Sequence, residues 1–283
     1  MKLALGSVQF GVNYGVENLP PLELDEIKSI INIAQSNNIK IIDTASTYGK
    51  SEEILGKVLP ENSDFKIVTK TLNTENPEDL EKTFNYSLKR LKKNSIYGLL
   101  IHEPELLMGN NANKVWKKLL ALKNAGLVEK IGVSVYSNEE IDTILDKFDI
   151  DIIQIPLNIF DTRLIKSGHL KKLKDKQVEI HVRSVFLKGL LLKNPQNLPD
   201  YFKNYKNELE TFHKELNKIK ITPVEACINF VKNHEEIDYI IIGVRTNKQF
   251  SEIFNAYNKN FTFDYSGFNL NEKELLNPKL WKL

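Results

Sequence analysis

The stretch "IIDTASTYGKSEEILG", residues 41–56, changes from one kind of local structure to another within a few residues. It begins with the apolar residues of a buried β-strand, and Ile54 and Leu55 near its end belong to the apolar face of an amphipathic helix. Between strand and helix lie Asp43, Tyr48 and several hydroxyl groups. A strand, a polar turn and a helix in this order form the repeating unit of an α/β fold.

The same alternation continues along the chain and predicts its fold class. Eight apolar runs rich in β-branched residues cover 2–6, 39–43, 65–70, 97–102, 130–135, 151–156, 178–184 and 239–244. They are almost continuously apolar, as parallel strands buried on both faces are. Segments with helical period lie near 22–38, 77–91, 113–125, 138–147, 163–176, 200–219, 222–233 and 247–258. Eight strands interleaved with helices predict a (β/α)₈ TIM barrel.

The barrel is predicted to be one domain spanning residues 1–283, because no segment has the composition of a linker. The connection between strands seven and eight, about residues 185–238, holds more than one helical segment and is therefore enlarged. The tail, residues 259–283, is expected to pack across the outside or one end of the barrel, but the sequence does not predict its fold.

The amino-acid composition argues against nucleic acid and membranes as partners. The 39 basic and 37 acidic residues are scattered along the helices, so no basic surface for nucleic acid is expected. No run approaches the roughly 20 apolar residues that span a membrane, and none forms a signal-peptide core. The single cysteine, Cys227, is interpreted as a core residue of a protein from a reducing compartment. We expect a cytoplasmic protein, and a monomer by default.

Ionisable residues close three successive predicted strands, namely Asp43, Lys70 and His102, and Tyr48 lies in the loop after the first of them. In a barrel of this type the active site is built at the C-terminal ends of the strands. Each residue alone has an ordinary explanation, as a turn residue, a surface lysine, a loop histidine or a packed tyrosine. Their coincidence on consecutive strands favours a shared active site.

The four residues suit proton transfer by a phenol. Free tyrosine has a pKa near ~10, and a neighbouring Lys70 ammonium is expected to lower that pKa. Asp43 would hold the lysine in place, and His102 could donate a hydrogen bond to a substrate oxygen. No activated serine or cysteine and no His-x-His or His-Glu-x-x-His spacing occurs, so no metal site is predicted. Redox chemistry would then require an external carrier.

At this point the chain resembles the aldo-keto reductase family. The elements "DTA", "YG", "SE" and "LG" within residues 43–56 match the family pattern, and Asp43, Tyr48, Lys70 of "VTK" and His102 of "LLIH" match its catalytic tetrad. The resemblance covers nearly the whole chain. It implies an NADP-dependent alcohol oxidoreductase that reduces a small aldehyde or ketone to an alcohol, with hydride from NADPH and Tyr48 as proton donor. NADH is the alternative cofactor.

The resemblance also implies cofactor contacts. Ser134 of "GVS" and Gln154 of "QIPLN" match residues that bind the nicotinamide carboxamide, although Val135 replaces the asparagine of many relatives. Arg183 stands where many relatives carry an aromatic residue that stacks on the nicotinamide, and a planar guanidinium can also stack. Ser184 and the loop after it would meet the pyrophosphate.

The segment "IIGVRTNKQFSEI" after strand eight resembles the region that binds the adenosine 2′-phosphate in relatives. Arg245 is the first candidate for that contact, with Thr246 and Lys248 beside it, because a guanidinium matches phosphate geometry. Alternatively, this polar loop is a solvated helix cap. Ile253 replaces an asparagine of many relatives, so NADPH is favoured over NADH without excluding it.

Two functions from different classes remain. One is carbonyl reduction, with Tyr14 and Tyr136 as candidate substrate residues in the loops and with Phe10 and Phe160 as further loop aromatics. The other is a regulatory subunit of the same fold that binds nicotinamide nucleotide with little turnover, as the potassium-channel β subunits do. The resemblance does not indicate which carbonyl compound is reduced.

Overall fold

A computed structural model of the protein describes residues 1–60, 63–72, 74 and 76–282. Eight parallel strands form a closed barrel in sequence order, β1 to β8. They span Lys2–Gly6, Ile41–Asp43, Lys66–Lys70, Ile96–Ile101, Val128–Ser134, Ile152–Pro156, Glu179–Arg183 and Tyr239–Gly243. Strand β1 closes the barrel, since Gly6 lies opposite Asp43 of β2 and Gly243 of β8. The predicted (β/α)₈ TIM barrel is confirmed.

Helices alternate with the strands and cover the barrel. The α-helices, α1 to α12, span Val8–Gly11, Leu24–Ser36, Ser51–Val58, Pro77–Leu91, Ala112–Asn124, Asn138–Leu145, Arg163–Lys166, His169–Asp175, Lys206–Lys218, Pro223–Lys232, Asn247–Asn258 and Lys273–Leu276. Helix α2 illustrates why they form, because Ile27, Ile30, Ile31 and Ala34 recur with helical period and are all buried.

Two predicted helices are wrong in detail. The segment predicted as one helix over 163–176 is two short helices, α7 and α8, because Gly168 between them has a left-handed φ of 75° that a continuing helix does not accept. The segment predicted as one helix over 200–219 begins as a 3₁₀-helix, Asp200–Tyr205, and continues as α9. A tightened 3₁₀ turn is a common start for an α-helix.

The connection between β7 and β8 is enlarged, as predicted. It contains α9, α10 and the 3₁₀-helices Leu187–Leu192 and Pro195–Asn197 in addition to Asp200–Tyr205. The tail packs against it, since Phe202 contacts Trp281 with 4.7 Å between ring centroids. Phe268 and Leu275 of the tail are buried, and Leu270 donates a backbone hydrogen bond of 2.8 Å to Phe160. The tail therefore reaches the C-terminal end of the barrel.

A cluster of polar residues lies at the opposite, N-terminal end of the barrel. Glu179, the first residue of β7, accepts hydrogen bonds from the Tyr97 hydroxyl at 2.7 Å, Lys130 Nζ at 2.6 Å and His181 Nε2 at 2.8 Å. Burial acts to raise the pKa of Glu179, but these three donors outweigh it and hold that pKa at about 2. The cluster is thus built around a stable carboxylate.

Candidate active site

The four predicted catalytic residues meet at the C-terminal end of the barrel. Asp43 and Lys70 are the last residues of β2 and β3, His102 follows β4, and Tyr48 lies in the loop before α3. All four line one cavity of about 760 Å³, a size typical of small-molecule sites. The structure therefore brings together the residues that the sequence selected.

Asp43 and Lys70 form a buried ion pair. Lys70 Nζ lies 2.8 Å from both carboxylate oxygens of Asp43 and 2.8 Å from the carbonyl oxygen of Thr44. The exposed fractions of Asp43 and Lys70 are 4% and 1%, so the pair is shielded from water. Gln154 Nε2 also donates to Asp43 at 2.7 Å. Burial lowers the pKa of Lys70, while the Asp43 charge opposes that change.

The pKa of Tyr48 is raised, not lowered as predicted. Burial is the main cause and the Asp43 charge the next, while Arg183 is the cation that acts in the opposite direction. Lys70 Nζ lies 3.4 Å from the phenol oxygen, but Asp43 compensates its charge. Tyr48 consequently keeps its proton at neutral pH, which a proton donor requires.

His102 is a neutral imidazole. Burial and the nearby charge of Lys70 lower the pKa of His102 to about 3, with smaller effects of Lys279 and Arg183. Its Nδ1 lies 3.1 Å from the hydroxyl of Thr47, a contact that the sequence analysis missed although Thr47 directly precedes Tyr48. The Tyr48 and His102 rings meet edge to face, 6.0 Å between centroids. A neutral imidazole has one N–H to donate and one nitrogen to accept.

Close backbone contacts fix the position of Tyr48. A Cβ atom on Gly11 would lie 1.9 Å from the Tyr48 carbonyl oxygen, so only glycine fits there. Gly49, in the turn before the next helix, has a positive φ of 55°, which glycine adopts readily. Helix α3 begins at Ser51, whose hydroxyl does not cap the helix and donates instead to the Ser7 carbonyl oxygen at 2.9 Å. The loop is therefore anchored to the end of β1.

The residues predicted to contact the nicotinamide, Ser134, Gln154 and Arg183, line the same cavity, as does Ser184, which was predicted to meet the pyrophosphate. Arg183 donates to the Val135 carbonyl oxygen at 2.9 Å, to Ser134 Oγ at 3.4 Å and to Ser184 Oγ at 3.3 Å. Val135, which replaces the asparagine of many relatives, thus helps to hold Arg183 through its backbone carbonyl oxygen.

The segment after β8 is only partly in the cavity. Arg245 lines it and donates to the Pro20 carbonyl oxygen at 2.8 Å, whereas its Nη1 is buried without a hydrogen-bond partner among the described residues. The candidates Thr246 and Lys248 are exposed and are not among the lining residues. The Thr246 hydroxyl instead caps α11 by accepting from the Gln249 amide at 3.2 Å.

The mouth of the cavity carries two tyrosines and two lysines. Tyr14 and Tyr136 line it as predicted, whereas Phe10 and Phe160 are core residues that are 0% and 1% exposed. Sequence reasoning missed Lys188, in the loop after β7, and Lys279, in the tail. Lys188 Nζ lies 5.5 Å from the Tyr14 ring centroid, and Lys279 Nζ lies 4.9 Å from that of Tyr136. Lys188 could have been found from the sequence, because it follows a predicted strand and active-site residues of a barrel lie after strand ends. Nothing in the sequence indicates that Lys279 lies at the cavity.

Within residues 1–60, 63–72, 74 and 76–282, no three histidine, cysteine, aspartate or glutamate side chains are grouped so that they could hold a metal ion. No helix in those ranges has the length and apolar character needed to cross a membrane.

Comparison with known proteins agrees with the geometry. The model of the Aldo/keto reductase family matches residues 2–267. Aldo-keto reductase YhdN of Bacillus subtilis is 32% identical over 184 residues, which cover 59% of this chain and 54% of that protein. Aldo-keto reductase family 1 member A1 of Rattus norvegicus is 30% identical over 150 residues, covering 44% and 46%. The alignments thus span about half the length of these curated relatives.

The structure of a glycerol dehydrogenase from Gluconobacter oxydans superposes with a TM-score of 0.73 at 22% identity, covering 92% of this chain and 87% of that one. At this identity the likeness concerns the fold alone. The family match, by contrast, covers most of the sequence, including all four residues of the tetrad. The chain therefore belongs to the aldo/keto reductase family.

Proposed function

We propose that this protein reduces an aldehyde or ketone to an alcohol, using hydride from NADPH and a proton from Tyr48. The observation that carries the proposal is the Tyr48 phenol, which keeps its proton and lies 3.4 Å from a buried ammonium at the wall of a cavity of about 760 Å³. The proposed partner is a small-molecule carbonyl compound.

Each residue of the tetrad has a separate task. The nicotinamide, when bound, supplies hydride to the carbonyl carbon. Tyr48 gives its proton to the carbonyl oxygen, and Lys70 stabilises the phenolate that remains. Asp43 keeps Lys70 charged and in place, while the N–H of neutral His102 orients the oxygen by a hydrogen bond. The hydride and the proton together account for the two hydrogen atoms of the alcohol.

The cavity is suited to a nicotinamide dinucleotide. The neutral polar groups of Ser134 and Gln154 lie near the tetrad end, and Arg245 lies on the wall beyond β8 with a buried N–H that has no protein partner in the described ranges. An unsatisfied guanidinium N–H is suited to a phosphate oxygen, which favours NADPH. Glu252 lines the same cavity, and its negative charge would repel a 2′-phosphate, which favours NADH.

The test combines binding and turnover. Purified protein is expected to change the fluorescence of NADPH and to oxidise it when offered a panel of aldehydes. Tyr48→Phe should retain NADPH binding and lose turnover by at least about 100-fold, since a general acid contributes roughly 10²–10⁴. Comparable turnover in Tyr48→Phe excludes Tyr48 as the donor. NADPH binding by the parent without reduction of any aldehyde supports the regulatory-subunit alternative.

A further inference from the structure

Glu52, the second residue of α3, is a buried carboxylate that the proposed chemistry does not use. Its exposed fraction is 1%, and it is not among the residues that line the cavity. Thr69 Oγ1 donates to Glu52 Oε1 at 2.7 Å, and Arg90 donates to Glu52 Oε2 from Nε at 2.8 Å and from Nη2 at 2.6 Å. Since a buried charge is costly unless donors surround it, this carboxylate is held in place by β3 and α4 together.

Helix α3 lies close enough to the end of α4 for this contact to form. A Cβ atom on Gly56 of α3 would lie 2.0 Å from the Arg90 carbonyl oxygen, so only glycine fits there. The Arg90 guanidinium also donates to Ser87 Oγ at 3.3 Å, which directs it along α4. Helices α3 and α4 are thus held together at the residue that also binds β3.

The loop that carries Tyr48 has a second anchor on β3. The backbone amide and the hydroxyl of Ser46 both donate to the Lys70 carbonyl oxygen, at 3.1 and 2.9 Å. Tyr48 therefore lies between two anchors, with Ser46 before it and Glu52 after it in the chain. Both anchors end on the last two residues of the same strand.

The contact of Glu52 is on the outer face of that strand. Successive side chains of a strand point to opposite faces. Val68 packs with apolar residues of several other strands and so faces the barrel interior. Lys70 faces the interior as well, whereas Thr69 faces outward to α3. Glu52 thus binds the outer face of the strand whose inner face presents the ammonium to Tyr48.

We propose that Glu52 is a positioning residue for the proton transfer. By holding the start of α3 against β3, it sets the separation between the Tyr48 phenol and the Lys70 ammonium. The proposal rests on the proposed function and deepens it. The phenol oxygen lies 3.4 Å from Lys70 Nζ, at the limit of a hydrogen bond, so a small outward movement of the loop would lose this contact. A displacement of about 1 Å can cost on the order of 100-fold in rate.

The first test replaces the carboxylate by an amide of the same shape. Glu52→Gln places an N–H group against one of the donors, so the anchor is weakened without a large change in volume. With NADPH and an aldehyde, kcat should fall at least about tenfold because the proton donor is displaced. KM and the affinity for NADPH should stay within about twofold, because Glu52 touches neither ligand. An unchanged kcat overturns the proposal.

The second test concerns the other end of the hydrogen bond. Thr69→Val removes the donor to Glu52 and should lower kcat, whereas Thr69→Ser keeps the hydroxyl and should remain within about twofold of the parent. If both side chains act through one contact, combining Glu52→Gln with Thr69→Val should cost no more kcat than Glu52→Gln alone. Losses that multiply in the double variant would mean that the two residues act separately, which overturns the proposal.

A matched control separates positioning from a general loss of stability. Leu80 of α4 is 1% exposed and lies in the first half of the helix, away from Arg90. Leu80→Ala leaves a cavity and should lower the thermal unfolding temperature, but kcat of the folded protein should stay within about twofold of the parent. If Leu80→Ala lowers kcat as much as Glu52→Gln does, weaker packing of α4 explains the loss and the proposal is overturned.

A readout without turnover separates this inference from the proposed function. Amide hydrogen exchange, followed by mass spectrometry, reports on residues 44–52, where the Tyr48 amide donates to the Ala45 carbonyl oxygen at 3.0 Å. This segment should exchange at least about fivefold faster in Glu52→Gln than in the parent or in Leu80→Ala. If no aldehyde is reduced but this difference appears, the proposed function fails while the anchor of the Tyr48 loop stands. Equal exchange in the parent and in Glu52→Gln contradicts the anchor.

Discussion

Each end of the barrel contains a carboxylate, a lysine, a tyrosine and a histidine, in different arrangements. At the N-terminal end, Tyr97, Lys130 and His181 all donate to the carboxylate of Glu179. At the C-terminal end Lys70 binds Asp43, but Tyr48 and His102 form no hydrogen bond with that acid and face the cavity instead.

This difference separates a structural cluster from the cluster that we propose to be reactive. At the N-terminal end Tyr97, Lys130 and His181 each donate to the acid, so it stabilises the fold, and the remaining ring nitrogen, His181 Nδ1, is buried away from the cavity. At the C-terminal end the ion pair leaves a phenol and an imidazole with polar atoms available. The two clusters thus share their chemical groups, and the direction of their hydrogen bonds is what distinguishes the proposed active site from the structural one.

Removing one lysine from each end gives the largest contrast. Lys70→Met leaves Asp43 buried and unpaired, so the free energy of unfolding should fall by about 3–5 kcal/mol and turnover by at least about 100-fold. Lys130→Met removes a partly exposed donor and should leave turnover unchanged, because Lys130 is not among the residues that line the cavity. Urea unfolding and aldehyde-dependent NADPH oxidation measure both quantities.

A double variant tests whether the unpaired charge of Asp43 causes the loss of stability. Asp43→Asn with Lys70→Met removes both charges and should recover part of the lost stability without recovering turnover. If Lys70→Met is as stable as the parent, then leaving the buried Asp43 unpaired is not destabilising, which would contradict this explanation.

The N-terminal cluster should make the free energy of unfolding depend on pH in the acidic range. The pKa of Glu179 is held at about 2 in the folded protein, below its ordinary value of 4.5. The stabilisation is therefore complete above about pH 4.5 and lost as the pH falls toward 2. At about 1.4 kcal/mol per pKa unit, the shift from 4.5 to about 2 corresponds to about 3 kcal/mol.

Unfolding in urea between pH 7 and pH 3 measures this effect. Glu179→Gln should lower stability at pH 7 and flatten the loss between pH 4.5 and pH 3. Glu215→Gln on the exposed face of α9 is the control, since a surface pair contributes at most about 1 kcal/mol. Equal pH profiles for Glu179→Gln and the parent would contradict the role of the cluster.

Thr47 provides a smaller test at the C-terminal end. Thr47→Val removes the hydroxyl that contacts His102 Nδ1 at 3.1 Å and should reduce kcat/KM about three- to tenfold, because the imidazole loses one orienting hydrogen bond of about 1 kcal/mol. Thr47→Ser keeps the hydroxyl and should remain within twofold of the parent. A loss in the serine variant as large as in the valine variant would point to the methyl group instead.

The smallest effect concerns the pH dependence of kcat/KM, to which His102 should contribute nothing. His102 has a pKa of about 3, so it stays neutral from pH 5 to pH 8. The pH profile of kcat/KM should therefore have the same shape near pH 6.5 in the parent and in His102→Gln. An inflection there in the parent that is absent from His102→Gln would contradict this expectation. Such an inflection would mean that His102 titrates with its ordinary pKa and is less buried than the structure has it.

The fold and the tetrad were accessible from the sequence because both depend on local periodicity. Strand ends can be read from apolar runs, and a barrel places those ends together, so Asp43, Lys70 and His102 could be found without coordinates. The same rule passes over Tyr97 and Glu179, since these residues lie at or near the starts of their strands. Strand position thus distinguishes the two clusters even before their hydrogen bonds are known.

What the sequence missed depends on loop conformation and on burial. Lys279 reaches Tyr136 only through the path of the tail, and Thr47 reaches His102 only through the loop held by Gly11. The predicted lowering of the Tyr48 pKa was wrong because it counted the charge of Lys70 without the compensating Asp43 and without the burial of the phenol.

The place of the tail at the cavity has a consequence for how substrate preference can change. Pro278 and Lys279 contribute to the cavity wall but take no part in the pairing of the eight strands. Substitutions there can alter which compound is accepted without disturbing strand register or the tetrad. This part of the cavity wall is thus encoded apart from the strands and loops that carry the tetrad.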